Sequence, residues 1–124
     1  MKCVIFRMLI VVVLGTTTIS FASAQGIKFV ESSFKEALAQ AKQENKLLFM
    51  DCYTSWCGPC RLLANRVFPN DSIGQFFNTH FVSLKMDMEK GEGPALARQY
   101  GVKAYPTLLF IDPSSQAVVS QVVG

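Results

Sequence analysis

The stretch LLFMDCYTSWCGPC, residues 47 to 60, constrains the fold more than any other part of this chain. Leu47 to Tyr53 is a compact apolar run of strand length, interrupted by one acid, Asp51. Helical signals begin at Cys57, with Pro59 in the first turn, where a missing N–H costs nothing. Leu62, Leu63 and Val67 supply an inward face for that helix. A strand that feeds directly into a helix is the building unit of α/β sheets.

The flanking segments repeat the alternation. Residues 26–30 alternate loosely and predict a short first strand. Ser33-Phe34-Lys35-Glu36 fits a capping box, and Phe34, Leu38 and Ala41 then recur at helical spacing up to Glu44. Pro69-Asn70-Asp71 breaks the pattern, and residues 72–78 predict another short helical piece. Residues 81–88 read as a strand with Lys85 and Asp87 between apolar positions, followed by a solvated loop over Glu89 to Glu92. Pro94 to Tyr100 predicts a short helix with Gly101 at its C′ position. Residues 107–111 form a strand opened by Pro106, residues 112–115 a turn, and residues 117–123 a final strand. The expected order is β-α-β-α-β-α-β-β. It implies an α/β fold with a central mixed sheet, parallel at first, flanked by helices on both faces. The last two strands are antiparallel, because the turn between them is too short for a crossover.

At 124 residues the chain holds one domain at most, and with 50% hydrophobic residues a real core is within reach. Part of that apolar excess lies at the start. Lys2 and Arg7 precede the uncharged stretch Met8 to Leu14, and a polar patch leads to Ala22-Ser23-Ala24. These are the marks of a secretory signal peptide over residues 1–24, leaving residues 25–124 as the domain. Seven strongly apolar residues are too few for a span of about 20. The alternative is an uncleaved membrane anchor, since the uncharged stretch runs on to Ala24. Cleavage removes Lys2 and Arg7, so the formal charge falls from +3 to +1, and nothing points to nucleic acid as a partner. It also removes Cys3 and leaves Cys52, Cys57 and Cys60, one short of two disulfides. An exported chain meets an oxidising compartment, periplasmic or extracellular, where a thiol pair is constantly challenged.

Three readings compete for Cys57 and Cys60. As a staple, a four-residue loop contributes only about 2 kcal/mol, and it fixes little that a helix turn has not fixed already. As a zinc site the pattern is wrong: a structural zinc wants four Cys or His ligands, and beyond Cys57 and Cys60 the mature chain offers only Cys52 and His80, with no second paired set. No metal site is expected. As a redox pair the spacing has a reason. Cys57 at the helix start faces unpaired backbone N–H groups and the positive end of the helix dipole, which favour a thiolate. Cys60, one turn on, is near enough to attack a mixed disulfide. Strand alternation puts Asp51 and Tyr53 on one face and Cys52 on the other, so Cys52 reads as a buried small hydrophobe. His80 reads as a surface residue after a helix, and Phe76, Phe77, Phe81, Met86 and Met88 as ordinary packing.

Trp56-Cys57-Gly58-Pro59-Cys60 resembles the active-site signature of the thioredoxin family. The match runs from about Gly26 to Gly124. With Asp-x-Tyr ahead of the motif, a Gly-Pro-Ala-Leu-Ala helix and an export signal, it is most similar to bacterial periplasmic thioredoxin-like domains. The resemblance implies a thioredoxin fold in which Cys57 attacks a substrate disulfide and Cys60 resolves the intermediate. Asp51 matches the family's buried acid and Lys85 the lysine that approaches it. Pro106 matches a cis proline facing the cysteines, so Tyr105 would pair with an extended substrate peptide. Trp56 becomes an exposed lid, and Gly58 and Pro59 complete the substrate-binding surface. No bound cofactor is required, since the two sulfurs carry the electrons.

Gly-Pro between the cysteines resembles reducing members at about −270 mV rather than oxidising ones near −120 mV, a gap of about 7 kcal/mol. The implied activity is reduction of protein disulfides outside the cytosol, fed by a membrane thiol-transferring electron donor. A disulfide oxidase or isomerase is one alternative, and a non-catalytic binding module on the same scaffold is another. Two departures stand out. Asn65 replaces the proline that often kinks the active-site helix, which predicts a straighter helix. The family's last helix is missing, which predicts a domain truncated at its C-terminus.

Overall fold

The computed structural model describes residues 25–124, so the signal peptide read over residues 1–24 lies outside the described residues. The strands are β1 (Phe29–Val30), β2 (Leu47–Tyr53), β3 (Phe81–Asp87), β4 (Thr107–Ile111) and β5 (Val118–Val123). The helices are α1 (Phe34–Gln43), α2 (Gly58–Leu62), α3 (Asp71–His80) and α4 (Gly93–Tyr100). The sheet order is β1-β3-β2-β4-β5. β1, β3 and β2 run parallel, while β4 is antiparallel to β2 and β5 antiparallel to β4. This is the expected mixed sheet flanked by helices.

Local chemistry explains most boundaries. The Ser33 hydroxyl accepts from the Glu36 N–H at 3.2 Å, and the Glu36 carboxylate takes the Ser33 N–H at 2.9 Å. That closed box sets the start of α1. α3 begins at Asn70, whose side chain accepts from the Ile73 N–H at 3.1 Å, so the break at Pro69-Asn70-Asp71 is also a cap. α4 ends at Gly101 with φ of 64°, the left-handed conformation that favours glycine.

β2 lies at the centre and divides the core. Leu48, Met50 and Cys52 face α1 and α4, in one cluster with Leu38, Ala41, Leu84, Leu96 and Ile111. Phe49 faces the other way, into rings from Phe29, Phe68, Phe77 and Phe110 at 4.9–6.3 Å. Burying each such side chain contributes about 1.5–3 kcal/mol, so the sheet is held from both sides.

Four expectations need correction. The active-site helix is not straighter: α2 runs directly into a π-helical turn, Leu63–Val67. The Phe68 N–H reaches back five residues to the Leu63 carbonyl at 2.9 Å. The extra residue in the turn swings Phe68 onto the sheet, where it meets Phe29 at 5.3 Å. The first strand is only two residues long. Phe76 is 55% exposed rather than packed inside. Glu89 to Glu92 is not simply a solvated loop, because the Glu92 carboxylate accepts the Phe34 N–H at 3.0 Å and so satisfies the first turn of α1.

All six residues of β5 are exposed. Among the described residues, no helix is long and apolar enough to cross a membrane.

Candidate active site

Cys57 caps α2 from an extended conformation, and its sulfur accepts the Cys60 N–H at 3.2 Å. Gly58 and Pro59 occupy the first turn. Cys57 and Cys60 are joined as a disulfide, with their Cα atoms 5.3 Å apart. Both residues are nearly buried, 3% and 5% exposed, so exposure does not rank them. Position does. Only Cys57 stands at the helix start, with a backbone N–H already directed at its sulfur, and that donor favours a thiolate there once the bond is reduced.

Aromatic and apolar side chains surround the pair. Trp56 is 63% exposed. Its indole N–H donates to Glu89 at 2.6 Å, and its ring meets Tyr105 edge-on at 6.0 Å. The Tyr105–Pro106 peptide is cis. Pro59 and Pro106 line one apolar groove of about 340 Å³ together with Leu62, Leu63, Leu108, Val122 and Gly124. Trp56, Gly58, Pro59, Tyr105 and Pro106 therefore form one surface around the disulfide.

Asp51 is 1% exposed, and its Oδ1 has no hydrogen-bond partner. Burial pushes its carboxyl up from an ordinary 3.8 to about 6, against the opposing pull of Lys85. Asp51 and Lys85 are register partners on β2 and β3, yet the ammonium is turned elsewhere. Lys85 Nζ lies 4.9 Å from the centre of the Tyr53 ring and 5.7 Å from that of Phe29. A cavity of about 120 Å³ brings Tyr53, Thr54, Ser55, Arg61, Ala64 and Lys85 against Cys60. Cys52 is fully buried on the opposite face, and burial, then the charge of Asp51, push its thiol up to about 12.

A family model described as Thioredoxin matches residues 25–124. The chain belongs to the thioredoxin family. It is similar to a candidate disulphide-isomerase from Bacteroides thetaiotaomicron, whose solution structure is 58% identical with a TM-score of 0.72. That match covers 83% of this chain and 84% of the other. It is also similar to Thioredoxin-2 of Pyricularia oryzae, 32% identical over 89% of this chain and 60% of that protein, so it spans about three fifths of that relative. Thioredoxin H4 of Arabidopsis thaliana is 38% identical over 70% of this chain and 67% of that protein. A thioredoxin from Thermus thermophilus, 24% identical with a TM-score of 0.69, covers 80% of this chain and 76% of its own and shares the fold. The described domain is thus a thioredoxin-like oxidoreductase with a CxxC pair.

Two neighbours of the thioredoxin motif escaped the reading of the sequence. Glu89 holds the Trp56 indole, but the two are far apart in the chain and no local pattern links them. Tyr53 was placed on the Asp51 face, but its contact with Lys85 depends on strand register.

Proposed function

We propose that this domain reduces protein disulfides outside the cytosol. The Cys57 thiolate attacks one sulfur of a substrate disulfide, forming a mixed disulfide and releasing the first substrate thiolate. Cys60 gives its proton to Asp51 and attacks Cys57, closing the Cys57–Cys60 bond and releasing the second substrate thiolate. Two electrons pass from protein to substrate, and the oxidised pair is the end state of that half-cycle. A thiol-transferring donor at the membrane returns the pair to the dithiol.

One observation carries the reading: the closed Cys57–Cys60 disulfide stands at the start of α2, the helix that follows the strand bearing the buried Asp51. A carboxyl titrating at about 6 is ionised at neutral pH and still basic enough to accept a proton from a thiol. The cavity of about 120 Å³ beside Cys60 is roomy enough for water. Lys85 tunes that carboxylate by its charge. Trp56, Gly58, Pro59, Tyr105 and Pro106 offer the surface on which an extended substrate segment would lie.

A Cys60→Ser variant should accumulate a mixed disulfide on Cys57 in cells, and mass spectrometry of the trapped species names the substrate. Absence of any Cys57-linked protein would defeat the catalytic role. Export predicts a mature chain that begins at Gln25, and a chain still carrying residues 1–24 after fractionation would contradict cleavage.

Isomerisation is the second reading, favoured by the 58% identity to the candidate disulphide-isomerase. Equilibration with glutathione separates the two. A potential near −270 mV supports reduction, and one above about −180 mV supports oxidation or isomerisation.

A further inference from the structure

We propose that Tyr53 is a positioning residue of this site: its ring holds the Lys85 ammonium off the Asp51 carboxylate and so keeps that carboxylate ready to take a proton. The proposal rests on the base role given above to Asp51.

The geometry sets up a choice for Lys85. Asp51 and Lys85 face each other in register on adjacent parallel strands, and neighbouring strands lie about 4.8 Å apart, well within a lysine's reach. A buried carboxylate with an unpartnered Oδ1 ought to draw that ammonium in. It does not. The ion pairs among the described residues are Lys46–Glu44 and Lys90–Asp87, and Asp51 has none. The ammonium rests instead over Tyr53, with Phe29 behind it. A partly desolvated ammonium over an aromatic face is held by the ring quadrupole, and Tyr53 supplies the nearer face.

The remaining neighbours do not supply another holder. β4 offers Asp51 only Leu108 in register. From α2 come Cys60 and the cation Arg61, and the π-helical turn contributes Ala64. β3 adds Asp87 opposite Tyr53, and its carboxylate is met by Lys90 at 4.0 Å. Burial, then Asp87 and Asp51, hold the Tyr53 hydroxyl above its ordinary value of 10. Tyr53 therefore acts on Lys85 as a neutral ring, not as a phenolate.

Without the ring, Lys85 would swing to its register partner. The ion pair would favour ionised Asp51 and weaken it as a proton acceptor.

The test is a carboxyl-carbon NMR titration of Asp51 in the reduced protein. Tyr53→Leu should lower the midpoint by about 1 pH unit or more. Tyr53→Phe should keep the wild-type midpoint, because the ring remains. Adding Lys85→Met to Tyr53→Leu should abolish the drop. An unchanged midpoint in Tyr53→Leu, or a drop that persists without Lys85, overturns the proposal. Should Tyr53→Leu fail to fold, Tyr53→Met makes the same comparison. The titration reads the carboxyl itself, so its failure is separable from failure of the base role, which would appear as wild-type turnover in Asp51→Asn.

Discussion

Asp51 is where function and stability pull apart. Its folded value, about 6, lies above the ordinary 3.8, so the fold prefers the protonated carboxyl. That benefit is full below pH 3.8 and is lost as pH rises through 6. The gap corresponds to about 3 kcal/mol. Asp51→Asn should therefore raise the urea midpoint relative to wild type at pH 8, with the difference closing towards pH 3.5. The same substitution should slow closure of the mixed disulfide at least tenfold, since a positioned base contributes about a hundredfold or more. Equal urea midpoints at pH 8 would mean the burial penalty is not there. Cys52 offers a contrasting test. Its buried thiol, pushed up to about 12, should resist iodoacetamide at pH 8 while the reduced Cys57 reacts. Peptide mass mapping should show Cys52 labelled only after denaturation.

At the level of elements, Gly74 in α3 meets the incoming chain. A side chain there would collide with the Gln25 carbonyl and the Gly26 backbone. Gly74→Ala should lower stability by about 1–3 kcal/mol in urea titration, with no change in redox potential. The same contact region explains why the first strand was read too long. The Ile27 N–H donates to Phe68 and the Lys28 N–H to Asn78, so residues ahead of Phe29 are tied to the helical side, not to the sheet. Strand and helix order was legible because period and caps are local properties, as at Ser33 and Gly101. The π-helical turn was not, because it follows from where Phe68 docks, among rings supplied by β1 and β2. The cysteine pair was legible for the same local reason. Glu89 and the ring contact of Lys85 needed the register of β2 against β3.

For the whole molecule, redox state and fold stability are coupled. Whichever form of the pair the fold stabilises sets the direction in which electrons prefer to move. For a reductant at about −270 mV the disulfide form should be the sturdier one, so dithiothreitol should lower the urea midpoint. A rise instead would assign an oxidising role. The sheet also partitions the chemistry. Asp51 and Cys52 are consecutive in the chain, yet they face opposite sides of the sheet, and the Cys52 side is sealed under α1 and α4. A third sulfur can thus reside one peptide bond from Asp51, the proposed proton acceptor, without joining the exchange. Mispairing would demand that the central strand peel away, so scrambling is kept out by architecture, without any need to remove the spare thiol.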